Sequence, residues 1–350
     1  MKILAFYLPQ FHEIPENNEW WGKGFTDWTN VKKAKPLIKG QYQPREPLND
    51  NYYDLSNVEV MKWQSKIAQD HGVYGFCYYH YWFDGKLLLE KPLENMLKDK
   101  EVTIPFCFSW ANEPWARTWD GRDTDVLMPQ RYGDEKDWKK HFDYLLQFFK
   151  DERYIKEGNK PMMVIYKTMH IPRVEEMCEY WNKLAIENGF NGIYFVETLG
   201  GIQHKPYLNI SEAAIEFEPN LTMANHEWSL FEKIIHKLKR IYNKGLSIFN
   251  YDLIWNEVLK RDIDRFQKKL YLGAFVDWDN TARKSFKGVV YKGSTPNKFE
   301  KYVSKQIKRS NKNGYIFINA WNEWAEGTYL EPDKKIGLKY LEAIRKALSK

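Results

Sequence analysis

Short apolar runs rich in β-branched and aromatic residues recur along the chain at 3–7, 73–78, 103–108, 162–166, 192–196, 213–217, 271–276 and 315–319. Runs of this length and composition read as buried strands. Between most of them lie stretches with apolar residues at three- and four-residue steps, at 58–69, 88–97, 137–149, 174–187, 251–266, 296–309 and 336–348. These read as amphipathic helices. Strands alternating with helices in this way predict an α/β fold of the (β/α)8 barrel type. No low-complexity linker, repeat or composition shift divides the chain. One barrel domain over 1–350, with long loops at its C-terminal face, is therefore expected.

Composition adds a question that patterning leaves open. Fifteen tryptophans, 23 tyrosines and 20 phenylalanines make 17% of the chain, and each large ring needs an interior slot or a ligand to cover it. Cys77, Cys107 and Cys178 lie far apart, which argues against a disulfide framework or a structural zinc site. The opening apolar run is cut short by Pro9, too soon for a signal peptide. A cytoplasmic chain with no transmembrane segment is expected. Net charge is +6, with basic residues gathered at 233–244 and 298–312. These read as solvated helix faces, with peripheral attraction to an anionic membrane or polysaccharide as the other reading.

The unusual residues cluster after the strand ends, where barrels of this type carry their active sites. Tyr7 ends the first strand and is expected in the barrel mouth; the loop beyond it holds His12, Trp20, Trp21 and Trp28. The second strand leads into His80 and Trp82, and the third into Trp110, Asn112, Glu113, Trp115, Arg117, Trp119 and Asp120. His170, Glu197, Glu218, Asp277 and Trp278 follow later strands, and Trp321, Asn322, Glu323, Trp324 and Glu326 follow the last. Acids and indoles thus share one rim. Indole faces stack on the apolar faces of sugar rings while carboxylates bind hydroxyls and move protons, so this rim suits an oligosaccharide or polysaccharide cleft. A nucleic-acid groove would carry Lys and Arg to track phosphates, and here acids dominate. Phosphate-cradling glycine loops and zinc-ligand spacings are missing from the sequence, so neither cofactor nor metal is expected.

Glu323 and Glu326 are the catalytic candidates. Three residues apart on a helical turn, they would face one side with Cβ atoms ~5–6 Å apart. Retaining glycosidases hold their two carboxyl groups about 5–5.5 Å apart and inverting ones roughly 6.5–9.5 Å, so the spacing leans towards retention. The competing reading is an exposed helix start, against which stand the flanking Trp321 and Trp324. Glu113 is either a hydroxyl-binding acid or the partner of a buried ion pair with Arg117. Glu197, Glu218 and Asp277 are candidates to bind a hydroxyl or orient a catalytic group. His12, His80 and His170 read as substrate contacts or, more simply, as satisfied packing residues.

The words Ala5-Phe6-Tyr7-Leu8-Pro9-Gln10-Phe11-His12 and Glu19-Trp20-Trp21-Gly22-Lys23-Gly24-Phe25-Thr26-Asp27-Trp28, with segments 110–121 and 319–326, resemble the WbsX-type family. That family is found among lipopolysaccharide and O-antigen biosynthesis proteins and is related to glycoside hydrolase family 99. Members are often labelled glycosyltransferases, and the related hydrolases are (β/α)8 endo-acting α-mannosidases that need no metal. The resemblance implies that Glu323 acts as general base on the sugar's own 2-hydroxyl and Glu326 as general acid on the departing oxygen. The 2-oxygen then attacks the anomeric carbon, and water opens the resulting epoxide with net retention. Such attack needs the 2-hydroxyl anti to the leaving group, as in α-manno and α-rhamno sugars. Ala325 stands where those hydrolases commonly carry His, so their substrate specificity is not carried over. A glycosyltransferase of surface-polysaccharide assembly and a non-catalytic carbohydrate-binding barrel remain the alternatives.

Overall fold

The computed structural model describes residues 1–117, 122–227, 229–310 and 314–350. Its frame is eight parallel strands: β1 (Lys2–Tyr7), β2 (Val73–Phe83), β3 (Phe106–Trp110), β4 (Lys160–Ile165), β5 (Tyr194–Leu199), β6 (Ala213–Glu216), β7 (Lys269–Phe275) and β8 (Tyr315–Asn319). Each pairs with its sequence neighbour, and β1 closes the circle by pairing with both β2 and β8, Ala5 opposite Phe76 on one side and Ile318 on the other. The strands are near-continuous apolar runs because a parallel barrel buries both faces, one against the interior and one against helices. Phe6 faces inward, touching Tyr79, Phe217 and Phe317. Tyr7 faces outward. Close strand approach explains Gly273, where a Cβ would lie 1.8 Å from the Glu216 carbonyl oxygen.

The helices α1 (Val58–Asp70), α2 (Lys91–Lys98), α3 (Glu135–Phe149), α4 (Val174–Glu187), α5 (Leu230–Tyr242), α6 (Tyr251–Lys260), α7 (Pro296–Arg309) and α8 (Lys339–Leu348) include the outer ring. Several start on side-chain caps that satisfy exposed N–H groups: Asn57 for α1, Asp134 for α3 and Thr295 for α7. The connection from β5 to β6 carries no helix among its residues and is held instead by Glu197.

Several boundaries differ from the sequence reading for local reasons. β3 starts at Phe106 rather than 103, because Pro105 has no N–H to give a ladder. α2 starts at Lys91, with Pro92 in its first turn where a missing N–H costs nothing. β2 runs on to Phe83 and folds back as a hairpin onto Lys86–Leu88. The basic stretch at 233–244 falls mostly on α5, and that at 298–312 mostly on α7.

Candidate active site

A cleft of about 480 Å³ opens at the C-terminal ends of the strands, and Glu323 and Glu326 both line it. After β8, Asn322–Glu323 pairs antiparallel with Thr328–Tyr329, and the intervening Trp324–Glu326 forms one 3-10 turn. Asn322 anchors this excursion to the first strand's exit: its side chain accepts from the Leu8 N–H at 2.8 Å and donates to the Leu8 carbonyl at 2.9 Å. Gly327 reverses the chain at φ 66°, pressed so tightly on Asp279 that a Cβ would meet its backbone at 2.9 Å.

The two acids share one cation. Arg283, from the short helix Thr281–Lys284 beyond β7, donates from Nη1 to Glu326 Oε1 at 2.8 Å and from Nη2 to Glu323 Oε2 at 3.1 Å. The same Nη2 reaches Oδ1 of the fully buried Asp27 at 3.2 Å. The planar guanidinium is a rigid fork, so it fixes the carboxyl groups relative to each other as well as neutralising them. Glu323 is nearly buried, whereas a quarter of the Glu326 side chain is open to the cleft. Burial pushes the Glu323 carboxyl up to about 8; Arg283 opposes this, and repulsion from Glu326 and Asp27 adds to it.

The cleft walls are aromatic, but their aromatics are mostly not those expected. Tyr79 and Tyr81 point inward from β2, joined by Tyr166, Phe217, Trp21, Trp115 and Trp278, with Gln10, Asn280 and Glu113 among the polar contributors. Burial raises Tyr79, Tyr81 and Tyr166 above the ordinary phenol value, and the nearby Glu323 charge adds to the effect. Trp20 packs edge-on to Trp115 beside the cleft. Arg117 lies over the Trp21 ring. Glu113 is half-exposed, and its cationic neighbour is Lys167 at 3.7 Å, so the buried pair with Arg117 is not formed. Trp119 and Asp120 lie outside the described residues.

Other expected contacts turn away from the cleft. Tyr7 donates to Gln64 of α1 at 2.6 Å, between barrel and helix. His80 contacts His141 of α3 nitrogen to nitrogen at 2.8 Å, and burial pulls it down to about 3. Trp82 stacks on His141 at 4.5 Å, and Trp110 meets His141 edge-on. These residues alternate with inward-facing ones, and period-two geometry sends them to the helix layer. Trp28 is buried against Phe11, Tyr53 and Trp324. His12 is buried, with Nδ1 at 3.0 Å from the Pro9 carbonyl, and His170 is exposed. Asn112 ties two loops through the Lys167 backbone. Glu197 accepts four hydrogen bonds from its own loop, Glu218 pairs with Arg261, and Asp277 pairs with Arg45 at 2.9 Å beneath Trp278.

Trp321 and Trp324, expected on the rim of the cleft, are buried instead and donate to one carboxylate, Glu331, at 3.1 and 2.6 Å. Tyr53 and Gln64 complete its shell at 2.7 Å each. Burial holds Glu331 up to about 7 although all four donors favour its charged form. This fully donor-wrapped acid lies directly behind the turn that carries Glu323 and Glu326, and nothing in the sequence marks it.

Among the described residues no cluster of His, Cys, Asp and Glu has the makings of a metal site, and no helix is long and apolar enough to cross a membrane. The fold is similar to that of the GH99 endo-alpha-mannosidase from Bacteroides thetaiotaomicron, with 14% identity, a TM-score of 0.56 and coverage of 99% of this chain and 95% of that one. A glycoside hydrolase-like protein superposes at a TM-score of 0.61 with 12% identity, covering 99% and 93%. The protein WxcX of Xanthomonas campestris pv. campestris is 36% identical over 356 residues in strain B100, and equally so over 357 in strain ATCC 33913. Both alignments cover 99% of this chain and 50% of the relative, so the chain spans about half the length of the curated relatives it matches. The profile of the family described as Glycosyltransferase WbsX matches residues 3–344, and the chain belongs to that family.

Proposed function

We propose that the protein is a carbohydrate-active enzyme that cleaves or transfers glycosidic bonds with retention, acting on α-manno- or α-rhamno-configured bacterial polysaccharide or its precursors. The observation that carries this reading is the carboxyl pair Glu323 and Glu326 on one guanidinium at the floor of an aromatic cleft. Glu323, the buried member, takes the proton of the sugar 2-hydroxyl. A carboxyl held up to about 8 is a far stronger base, once ionised, than an ordinary glutamate. Glu326, the more open member, gives a proton to the departing oxygen. The 2-oxygen closes on the anomeric carbon as the bond to the departing oxygen breaks; water or a second sugar hydroxyl then attacks that carbon from the opposite side, giving its proton to Glu326, as the bond to the 2-oxygen breaks and the 2-oxygen takes its proton back from Glu323. Two inversions give net retention. Nucleophile and electrophile belong to one ring, so the protein's contribution is orientation and proton traffic.

The structurally similar GH99 protein of Bacteroides thetaiotaomicron is an endo-alpha-mannosidase, which agrees with a manno-configured substrate. The family description names a glycosyltransferase, and that favours a second reading in which the accepting hydroxyl is another sugar's. Turnover of manno- and rhamno-configured oligosaccharides, followed by product analysis with and without an acceptor sugar, separates the two. Glu323→Gln and Glu326→Gln should each abolish turnover. Full activity in both variants would overturn the catalytic assignment, and tight binding of a nucleotide sugar would favour a conventional transferase.

A further inference from the structure

The helix α5 does not behave like the rest of the ring. Leu230, Phe231, Ile234, Leu238, Ile241 and Tyr242 recur at three- and four-residue steps, which places them on one face. All six are open to solvent, by 50% for Ile234 and up to 87% for Tyr242. None of the helix's residues is buried. Six large apolar side chains exposed on one face mark an interaction surface.

The flank of that face identifies the occupant. Lys233, Lys237, Arg240 and Lys244 fall along one edge beside the apolar stripe, and Lys237, Arg240 and Lys244 line a notch of about 360 Å³ at the helix's C-terminal end. The acid of this helix, Glu232, is engaged in capping it through Ser229. Apolar stripe and cationic edge side by side is the pattern of a helix lying in a bilayer interface, the stripe among acyl chains and the cations at anionic headgroups. A second copy of this chain packed antiparallel on this face would bring the same cationic edge against itself.

The placement is also directed. His236 of α5 stacks on Phe249 at 5.3 Å, in the strand Ser247–Asn250. That strand pairs with Val289–Lys292, whose Tyr291 N–H donates to the Trp278 carbonyl on the cleft wall at 2.8 Å. The helix is thereby joined to the rim of the cleft.

We propose that α5 is an interfacial helix that seats the rim of the cleft on an anionic membrane surface. This goes beyond the catalytic reading and does not depend on it. The test is co-sedimentation of the full 350-residue chain with phosphatidylcholine vesicles, with and without phosphatidylglycerol. Binding is expected to the anionic vesicles and to weaken with salt. Phe231→Ser with Ile241→Ser should reduce it at least about tenfold. Lys233→Gln, Lys237→Gln and Arg240→Gln together should reduce it on the order of a hundredfold. Because these side chains are exposed, thermal melts should match the parent and show that the variants are folded. No binding to anionic vesicles at low salt, or equal binding by parent and variants, overturns the proposal. So does a dimer, seen by sedimentation velocity, that the double Ser variant abolishes while vesicles go unbound.

Discussion

Glu323→Gln offers a test of the site's electrostatics that needs no substrate. The parent carboxyl titrates at about 8 in the folded protein against an ordinary value of 4.5. Across that window the folded state holds a proton that the unfolded chain has released. The stability this contributes is full below about 4.5, falls as pH rises at about 1.4 kcal/mol per unit, and is gone near 8. The whole effect is roughly 5 kcal/mol. Glutamine stands in for the protonated acid, since its carbonyl can still accept from Arg283 Nη2, and it cannot ionise. Parent and variant should therefore be similar in stability at pH 5, while the variant gains several kcal/mol at pH 9. Glu331, held up to about 7, adds its own loss to both proteins and cancels. Urea unfolding at pH 5 and pH 9 measures the difference directly. A gap between parent and variant that stays constant over this range would refute the assignment of a buried, reluctantly ionised Glu323.

One limb of kcat/KM should fall near pH 8, where Glu323 exchanges its proton; Asp27→Asn removes a repelling charge and should move that limb down, while Arg283→Met should move it up. Rate profiles on one aryl glycoside across the series check the directions. Glu331→Leu leaves Tyr53, Gln64, Trp321 and Trp324 without their acceptor and should cost more than about 3 kcal/mol, read by urea unfolding; a loss within about 1 kcal/mol would contradict the network. Gly273→Ala forces a methyl to within 1.8 Å of the Glu216 carbonyl and should lower the melting temperature sharply or prevent folding.

The barrel was legible because its strands are buried on both faces, and such runs stand out in β-branched and aromatic content whatever lies between them. The acid pair was legible because Glu323 and Glu326 are close in sequence and in one turn. Their shared partner was not, because Arg283 and Asp27 lie 256 residues apart and meet only when the barrel closes. The tryptophans misled for a different reason. The apolar pattern places His80 and Trp82 beyond a strand that ends at residue 78, whereas β2 runs on to Phe83 and facing is set by alternation: with Tyr79 and Tyr81 inward, His80 and Trp82 must point to the helices. Parity along β2 carried that information. For Trp321 and Trp324 no parity argument existed, since the chain leaves the strand before them and their direction depends on Glu331.

Charge on the cleft floor also bears on the choice between hydrolysis and transfer. Asp27, Glu323 and Glu326 outnumber Arg283, and a proton on Glu323 relieves part of the excess. With Glu323 ionised, the cleft acids Glu113, Glu323 and Glu326 and the buried Asp27 behind them stand against Arg283, Lys284 and the Glu113-paired Lys167, one net negative charge for an entering diphosphate to oppose. Two unit charges ~6 Å apart at an effective dielectric of ~20 repel by about 3 kcal/mol, a loss of more than about a hundredfold in affinity. A neutral glycan meets no such term, and its ring faces suit Tyr79, Tyr81 and Trp278. If this chain builds rather than degrades, the charge thus favours a donor that is itself a glycoside. In that case transferase and glycosidase share one first half-reaction, and differ only in whether water or a sugar hydroxyl reaches the intermediate.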